Sequence, residues 1–170
     1  MNIFYLDKDP VQAATMMCDK HIVKMPLESA QMLCTNHRVV DNVDSLHNIP
    51  LYKIAHKNHP STIWARQSKE NYLWLYEHFV ALCDEYTHRY GKRHLCDTKY
   101  SVVLSEPPIN LPDGTFTEPP QCMPDYCKIE GDSITSYRQY YMNEKHTFAT
   151  WKYPRTTPFW YEVKSSESNY

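Results

Sequence analysis

Glycine is scarce in this chain, since only 3 of its 170 residues are glycine. Phosphate-cradling loops and dinucleotide-binding turns need several glycines close together, because side chains would keep the backbone away from the phosphates. The glycines here lie far apart, at Gly91, Gly114 and Gly131. The sequence therefore argues against a nucleotide-hydrolysing or dinucleotide-dependent enzyme, and we expect no cofactor.

The chain also has no long apolar run and no basic, then apolar, leader at its start. Those patterns are typical of membrane helices and of secretory signal peptides. We therefore expect a cytoplasmic protein without membrane contact, in which the 6 cysteines stay reduced. The length fits one core, so we expect a single domain over residues 1–170 and a monomer.

Neither sign of charge is in excess, because 18 basic and 20 acidic residues give a formal net charge of −2. This balance excludes a protein coated with lysine and arginine for unspecific binding of polyanions. Aromatic residues are abundant in contrast, with 14 tyrosines and 4 tryptophans. Such rings mostly fill cores, but they also stack on unpaired bases, so any nucleic-acid contact should be local.

Capping residues and hydrophobic periodicity predict three helices, over residues 10–34, 61–90 and 132–151. Pro26 lies inside the first and should kink it, and Gly91 ends the second in a left-handed conformation. Residues 36–60 are predicted to form a loop. Residues 91–131 are predicted to be a proline-rich loop insertion. The expected fold is all-α, a compact three-helix domain with long ordered loops.

The first predicted helix carries four polar side chains on one face, His21, Lys24, Glu28 and Gln31. Glu28 could act as a base or stabilise a cation, and histidines such as His21 ordinarily titrate near neutrality. Lys24 could be a nucleophile or a phosphate contact. A helix face that is simply solvated would show the same pattern, so the stripe alone does not decide between the two.

Two histidines and two cysteines could form a metal site, namely His56, His59, Cys122 and Cys127. The cysteines are separated by four residues and followed by lysine, which is not typical of a zinc knuckle. We therefore predict that the protein has no metal site.

The run Asp19-Lys20-His21, with Glu28 seven residues after the histidine, resembles the first helix of the phage pyrimidine-dimer DNA glycosylases. These enzymes are the endonuclease V family of ultraviolet-damage repair. Their pattern is Asp-Gln-His, with the catalytic glutamate at the same distance. This is the specific part of the resemblance.

A weaker similarity continues along the chain to Pro-Phe-Trp-Tyr at residues 158–161, which resembles the family's Pro-Thr-Trp-Tyr tail. The resemblance implies an endonuclease V-like all-α domain that binds double-stranded DNA, flips out a base and acts on its glycosidic carbon. Glu28 would be the catalytic carboxylate, and an α-amine freed by removal of the first methionine would form an imine with the sugar.

This sequence departs from the family at its start. Asn2 is large, so we expect Met1 to stay, and additional residues precede the histidine. The sequence therefore does not establish that an α-amine reaches Glu28. Leu27 and Gln31 also stand where the family has arginines.

We predict a DNA repair enzyme that acts on a damaged or modified pyrimidine, most simply a pyrimidine-dimer glycosylase with abasic-site (AP) lyase activity. Glu28 would stabilise the oxocarbenium or imine, His21 would move a proton or position a group, and Lys24 would contact phosphate. The other residues predicted to contact substrate or DNA are Gln31, His59, Arg66, Lys128, Arg138 and Lys145.

Two alternatives remain open from the sequence. The first is a phage transferase that attaches an amino acid or amine to activated 5-hydroxymethyluracil in DNA, which predicts a mass gain without strand cleavage. The second is a non-catalytic DNA-binding module, in which the polar stripe is only a binding face. A phage-encoded protein would work in the cytoplasm of the host cell.

Overall fold

The computed structural model describes residues 1–162, and this part of the chain is predominantly helical. It contains six α-helices, α1 (Pro10–Met16), α2 (Asp19–Asp41), α3 (Pro60–Trp64), α4 (Lys69–Tyr90), α5 (Leu95–Tyr100) and α6 (Ser133–Glu144). A two-stranded antiparallel sheet pairs β1 (Ser45–Leu46) with β2 (Ile49–Pro50), and 3₁₀ turns span Val103–Ser105 and Asp125–Cys127. The expected all-α class is confirmed, but the expected number of three helices is wrong. None of the helices in the described part of the chain has the length and apolar character needed to span a membrane.

The helix predicted over residues 10–34 is two helices with a break between them. Met17 and Cys18 have extended backbones, with ψ of 143° and 161°, and α2 begins after them. It continues past Pro26 and into the predicted loop. It ends before Asn42, whose φ of 55° is left-handed and whose N–H bonds back to the last turn.

The helix predicted over residues 61–90 is also divided. His59 caps α3, and its Nδ1 accepts a 3.1 Å hydrogen bond from the backbone N–H of Ser61. Ser68 caps α4, and its hydroxyl oxygen accepts a bond from an N–H of the first turn. The predicted end of this helix is confirmed, because Gly91 adopts φ of 71°.

The predicted loop over residues 91–131 contains α5, because the prolines that exclude helix begin only at Pro107. Asp132 caps α6 as predicted, with its carboxylate accepting a 3.0 Å bond from a backbone N–H of the first turn. The helix ends at Glu144, earlier than predicted.

The core is built around α4, against which both α1 and α2 pack. Its buried face includes Tyr72, Phe79 and Leu82, all 0% exposed. The N-terminal segment (residues 1–9) runs between α2 and α6. Phe4 marks this position, because its ring centre is 4.2 Å from that of His21 on α2, and α6 tyrosines contact its other sides.

The C-terminal segment (residues 145–162) crosses the junction of α1 and α2. Trp151 donates a 2.9 Å indole hydrogen bond to the carbonyl of the last residue of α1. Beneath it lies the buried side chain of Arg89, which donates to Asp19 at 3.0 Å and to Glu85 at 2.8 Å. Helices α2 and α4 are therefore joined by an ion network as well as by apolar packing.

Candidate active site

Glu28 lies in α2 with an amino group beside each of its carboxylate oxygens. The amino group of Met1 is 3.2 Å from Oε1, and Nζ of Lys24 is 3.7 Å from Oε2. The lysine contact follows from helix geometry, since residues four apart lie on one face. The Met1 contact is tertiary, and it shows that an amine at the start of this chain reaches Glu28.

The carboxylate of Glu28 is shielded from solvent, with 13% of the side chain exposed. The side chain of Met1 beside it is 2% exposed. Oε2 of Glu28 is buried, and within residues 1–162 no group donates a hydrogen bond to it. The Lys24 ammonium forms an ion pair with this oxygen at a distance beyond hydrogen-bond length. A buried oxygen without a donor is costly, so it is poised to stabilise a positive charge or accept a bond from a bound molecule.

His21 is buried under the N-terminal segment, with 5% of the residue exposed. Its ring stacks on Phe4 with an interplanar angle of 20°, and the hydroxyl of Tyr141 lies 2.5 Å from its Nδ1. Burial, aided by the charges of nearby lysines, lowers the pKa of His21 to about 3. Burial raises the pKa of Tyr141 well above its usual range, so this hydroxyl stays protonated, and it is hydrogen-bonded to Nδ1. The expected titration of His21 near neutrality is therefore wrong, and the imidazole is neutral at pH 7.

His59 lies at the N-terminus of α3, where the charges of the Met1 amino group and of Glu28 act on its pKa. Because Nδ1 accepts the capping bond from Ser61, the proton of the neutral ring is on Nε2. Burial lowers the pKa of His59, and the positive N-terminus lowers it further, whereas the charge of Glu28 acts in the opposite direction. His59 is thus a neutral donor near the Met1 amine and Glu28.

Three lysines, Lys20, Lys24 and Lys145, are close enough to His21 to lower its pKa. Nζ of Lys20 is 4.4 Å from the ring centre of Phe148, and Nζ of Lys145 is 4.5 Å from that of Tyr140. No salt bridge joins Lys20 or Lys145 to a carboxylate within the described part of the chain. The surface beside the carboxylate therefore combines unpaired positive charge with aromatic rings.

The sequence profile of the pyrimidine dimer DNA glycosylase family matches residues 1–98. This is more than half of the chain, and it contains α1 to α4 with Glu28, His21 and His59. The chain belongs to this family. No curated protein and no solved structure is significantly similar to it. The segment from residue 99 onwards, with α6, lies beyond the matched residues of this family member.

Three of the basic residues predicted to contact DNA form hydrogen bonds or an ion pair within this family member. Nη1 of Arg66 donates to the carbonyl of Lys57 at 2.7 Å and to an asparagine of α2, and burial lowers the pKa of Arg66. Arg138 donates to the carbonyl of Leu6 at 3.0 Å and so holds the N-terminal segment on α6. Lys128 pairs with a neighbouring aspartate at 3.0 Å.

Gln31 is half-buried on α2, in the turn after Glu28.

The structure places five of the predicted residues in or beside the candidate site around Glu28, and these are Glu28, Lys24, His21, His59 and Lys145. Sequence reasoning missed Lys20, although it lies in the motif itself, and missed the aromatic partners Tyr140 and Phe148. Those rings carry no motif, and only tertiary packing brings Phe148 onto α2 and Tyr140 of α6 onto the ring of Phe4.

The histidines and cysteines weighed as metal ligands do not form a cluster. Sγ of Cys122 lies 3.6 Å from the hydroxyl of Ser61, and Sγ of Cys127 contacts Asn143 at 3.9 Å. Among residues 1–162 no group of three histidines, cysteines or carboxylates could hold a metal ion.

The arrangement places amines beside a shielded carboxylate. An amine can act as a nucleophile, and such a carboxylate can accept a proton and stabilise a cation. Neutral imidazoles provide hydrogen bonds without adding charge. Lysines on the adjoining surface can hold phosphates.

Proposed function

We propose that this protein removes pyrimidine dimers from double-stranded DNA through an imine intermediate, and then cleaves the strand as an AP lyase. The observation that carries the proposal is the 3.2 Å contact between the Met1 amino group and Oε1 of Glu28. Family membership supports the glycosylase step. The amine beside a carboxylate supports the lyase step.

The first chemical step begins when the ammonium group of Met1 gives a proton to Glu28. The free amine then attacks C1′ of the damaged nucleotide, and the bond from C1′ to the base nitrogen breaks. The base leaves with the electron pair and takes up the proton held by Glu28, which returns to its carboxylate form. The nitrogen bound to C1′ then passes a proton to the ring oxygen, and opening of the sugar ring gives a positively charged imine.

Strand cleavage follows from the imine. Loss of a proton from C2′ drives breakage of the bond between C3′ and its oxygen, and the phosphate leaves with that electron pair. Water then hydrolyses the imine and releases the amine. We assign to Oε2 of Glu28 the stabilisation of the positive intermediates, because this oxygen is buried and receives no hydrogen bond within residues 1–162.

Met1 is a better candidate for the nucleophile than Lys24. The Lys24 side chain is 63% exposed, and its ammonium is farther from the carboxylate than that of Met1. As a class, α-amines also lose their proton more readily than lysine side chains. We assign to Lys24 a phosphate contact.

DNA would lie on the surface formed by Lys20, Lys24 and Lys145. Their ammonium groups can contact phosphates, and the rings of Tyr140 and Phe148 lie beside two of them. We propose that His21 positions the N-terminal segment through its stack with the Phe4 ring, since it is neutral at working pH and does not transfer protons.

The experiment uses a duplex with one cyclobutane thymine dimer and an undamaged duplex as control. The mass of the intact protein first establishes which residue carries the α-amine. The protein is then incubated with each duplex and borohydride, which reduces an imine to a stable adduct. We expect strand cleavage and an adduct on the damaged duplex only, with the adduct mapped to the N-terminal peptide.

A variant pair tests the carboxylate. Glu28→Gln should lower the rate of adduct formation by at least about 100-fold, the scale of a lost acid–base group. Glu77→Gln makes the same change on the exposed face of α4 and should keep the full rate. Neither cleavage nor adduct with the folded protein would overturn the proposal, and an adduct mapped to Lys24 would reassign the nucleophile.

A further inference from the structure

The side chain of Asn2 forms two hydrogen bonds immediately after the residue that carries the amine. Its Nδ2 donates to the backbone carbonyl of Cys122 at 2.9 Å, and its Oδ1 accepts from the backbone N–H of Phe4 at 3.1 Å. One partner is an acceptor and the other a donor, so only this orientation of the amide satisfies both. Asn2 therefore joins the start of the chain to a segment 120 residues away.

The backbone of Cys122, whose carbonyl accepts this bond, is itself hydrogen-bonded to the core. The backbone N–H of Cys122 donates at 3.3 Å to the hydroxyl of Tyr137, and that hydroxyl donates at 2.5 Å to the carbonyl of Pro120. Tyr137 is 0% exposed on α6. The segment that anchors Asn2 is thus fixed to the core, although it lies beyond the residues that match the family profile.

The second bond supports an unusual turn. Phe4 has φ of 55°, a left-handed conformation that costs free energy for an aromatic residue. The bond from its N–H to Asn2 and the stack on His21 hold this turn. Because the turn directs the chain back towards α2, it also sets where the amino group of Met1 points.

We propose that Asn2 is a positioning residue that holds the Met1 amine against Glu28. This rests on the proposed function, in which that amine is the nucleophile. The amide of Asn2 thus joins the turn at Phe4 to the segment at Cys122, in addition to its size, which is expected to keep Met1 in place. Cys122 takes part through its backbone and not through its thiol.

Two variants separate the two hydrogen bonds. Asn2→Leu removes both, whereas Asn2→Asp keeps the acceptor for the N–H of Phe4 and loses the donor to Cys122. Both residues are large enough that Met1 should stay, which intact mass verifies. Asn110→Leu is the matched control, because it removes a side-chain bond of similar length, 3.0 Å to Asp41, on a distant exposed loop.

The readout is the single-turnover rate of borohydride-trapped adduct at saturating dimer-containing duplex, measured across pH together with the Kd for DNA. Asn2→Leu should slow trapping by up to about 100-fold, the scale of a misplaced reacting group, with an unchanged Kd. Asn2→Asp should be slow as well. The new carboxylate of Asn2→Asp also stabilises the neighbouring Met1 ammonium. The trapping rate of this variant should therefore rise only at a higher pH than that of the wild type.

Trapping of Asn2→Leu at the wild-type rate would overturn the positioning role while leaving the proposed function intact. A loss of rate that is matched by an equal loss of DNA affinity would also overturn it, since a merely structural role predicts that result. Failure of the wild-type protein to form any adduct counts instead against the proposed function. The control variant should retain the wild-type rate.

Discussion

Burial of His21 makes the stability of the protein depend on pH in a calculable way. In the folded protein its pKa is about 3, against 6.5 for an ordinary histidine, mainly because the ring is shielded from water. Below pH 6.5 His21 is therefore protonated in the unfolded chain but stays unprotonated in the folded chain. The stability that this group contributes is complete above pH 6.5 and is lost as the pH falls towards 3.

The size of the effect between pH 7.5 and 5.0 follows directly. Each pH unit below the unfolded-state pKa costs about 1.4 kcal/mol, so His21 removes about 2 kcal/mol of unfolding free energy at pH 5.0. This value hardly depends on the precise folded-state pKa, provided that it lies about one unit or more below 5. It is a large part of the stability of a typical domain.

The test compares urea unfolding of the wild type and His21→Asn at the two pH values. The asparagine amide can donate or accept a hydrogen bond with the Tyr141 hydroxyl, but it cannot titrate. The variant should be less stable at pH 7.5, because it loses the stack on Phe4. On acidification to pH 5.0, however, it should lose about 2 kcal/mol less than the wild type.

His78→Asn provides a parallel measurement away from the candidate site. His78 is 0% exposed, and its Nδ1 contacts the carbonyl of Pro10 at 2.9 Å. Burial lowers its pKa to about 4, so the same difference of about 2 kcal/mol is expected at pH 5.0. If the wild type and both variants lose equal stability on acidification, the reasoning about buried neutral histidines is refuted.

Two further predictions concern the charged residues. Replacing Lys20 and Lys145 by glutamine should weaken binding to duplex DNA and lower the slope of log Kd against log salt by roughly 1 per lysine; an unchanged slope would remove both from the DNA contact. Arg89→Met should lower the unfolding free energy by about 3–5 kcal/mol, because it removes one positive partner from the buried carboxylate of Glu85 and breaks the ion network. The exposed ion pair of Arg93 with Asp97 makes a matched control, since Arg93→Met should lower the unfolding free energy far less in the same urea titration. Equal losses for the two variants would show that burial of the Arg89 network does not matter.

Local signals in the sequence were sufficient for the class of the fold and for several helix ends. Gly91 and Asp132 were predicted correctly, because a left-handed end and an N-cap depend on a few neighbouring atoms. The break at Met17 and Cys18 was missed, since neither residue is a strong helix breaker. The continuation of α2 to residue 41 was missed as well, because buried contacts such as the 2.8 Å bond from His37 to Tyr72 support it.

In the candidate site too, local features were predicted from the sequence and features set by tertiary packing were not. The neighbourhood of Lys24 and Glu28 followed from the helical period. The neutral state of His21 did not, because it comes from burial beneath Phe4 and from the charges of nearby lysines. Arg66 and Arg138, which the sequence predicts as DNA contacts, each donate a hydrogen bond to a backbone carbonyl, and no spacing in the sequence reveals these bonds.

By itself the sequence determined which side chains share one face of α2, because a helix fixes the positions of residues within a few turns of each other. It also determined the family, through the motif around His21 and Glu28. Only the tertiary structure decided that the Met1 amine lies against Glu28. That contact needs the turn at Phe4 and an anchor at Cys122, and such distant segments meet only when the whole core packs.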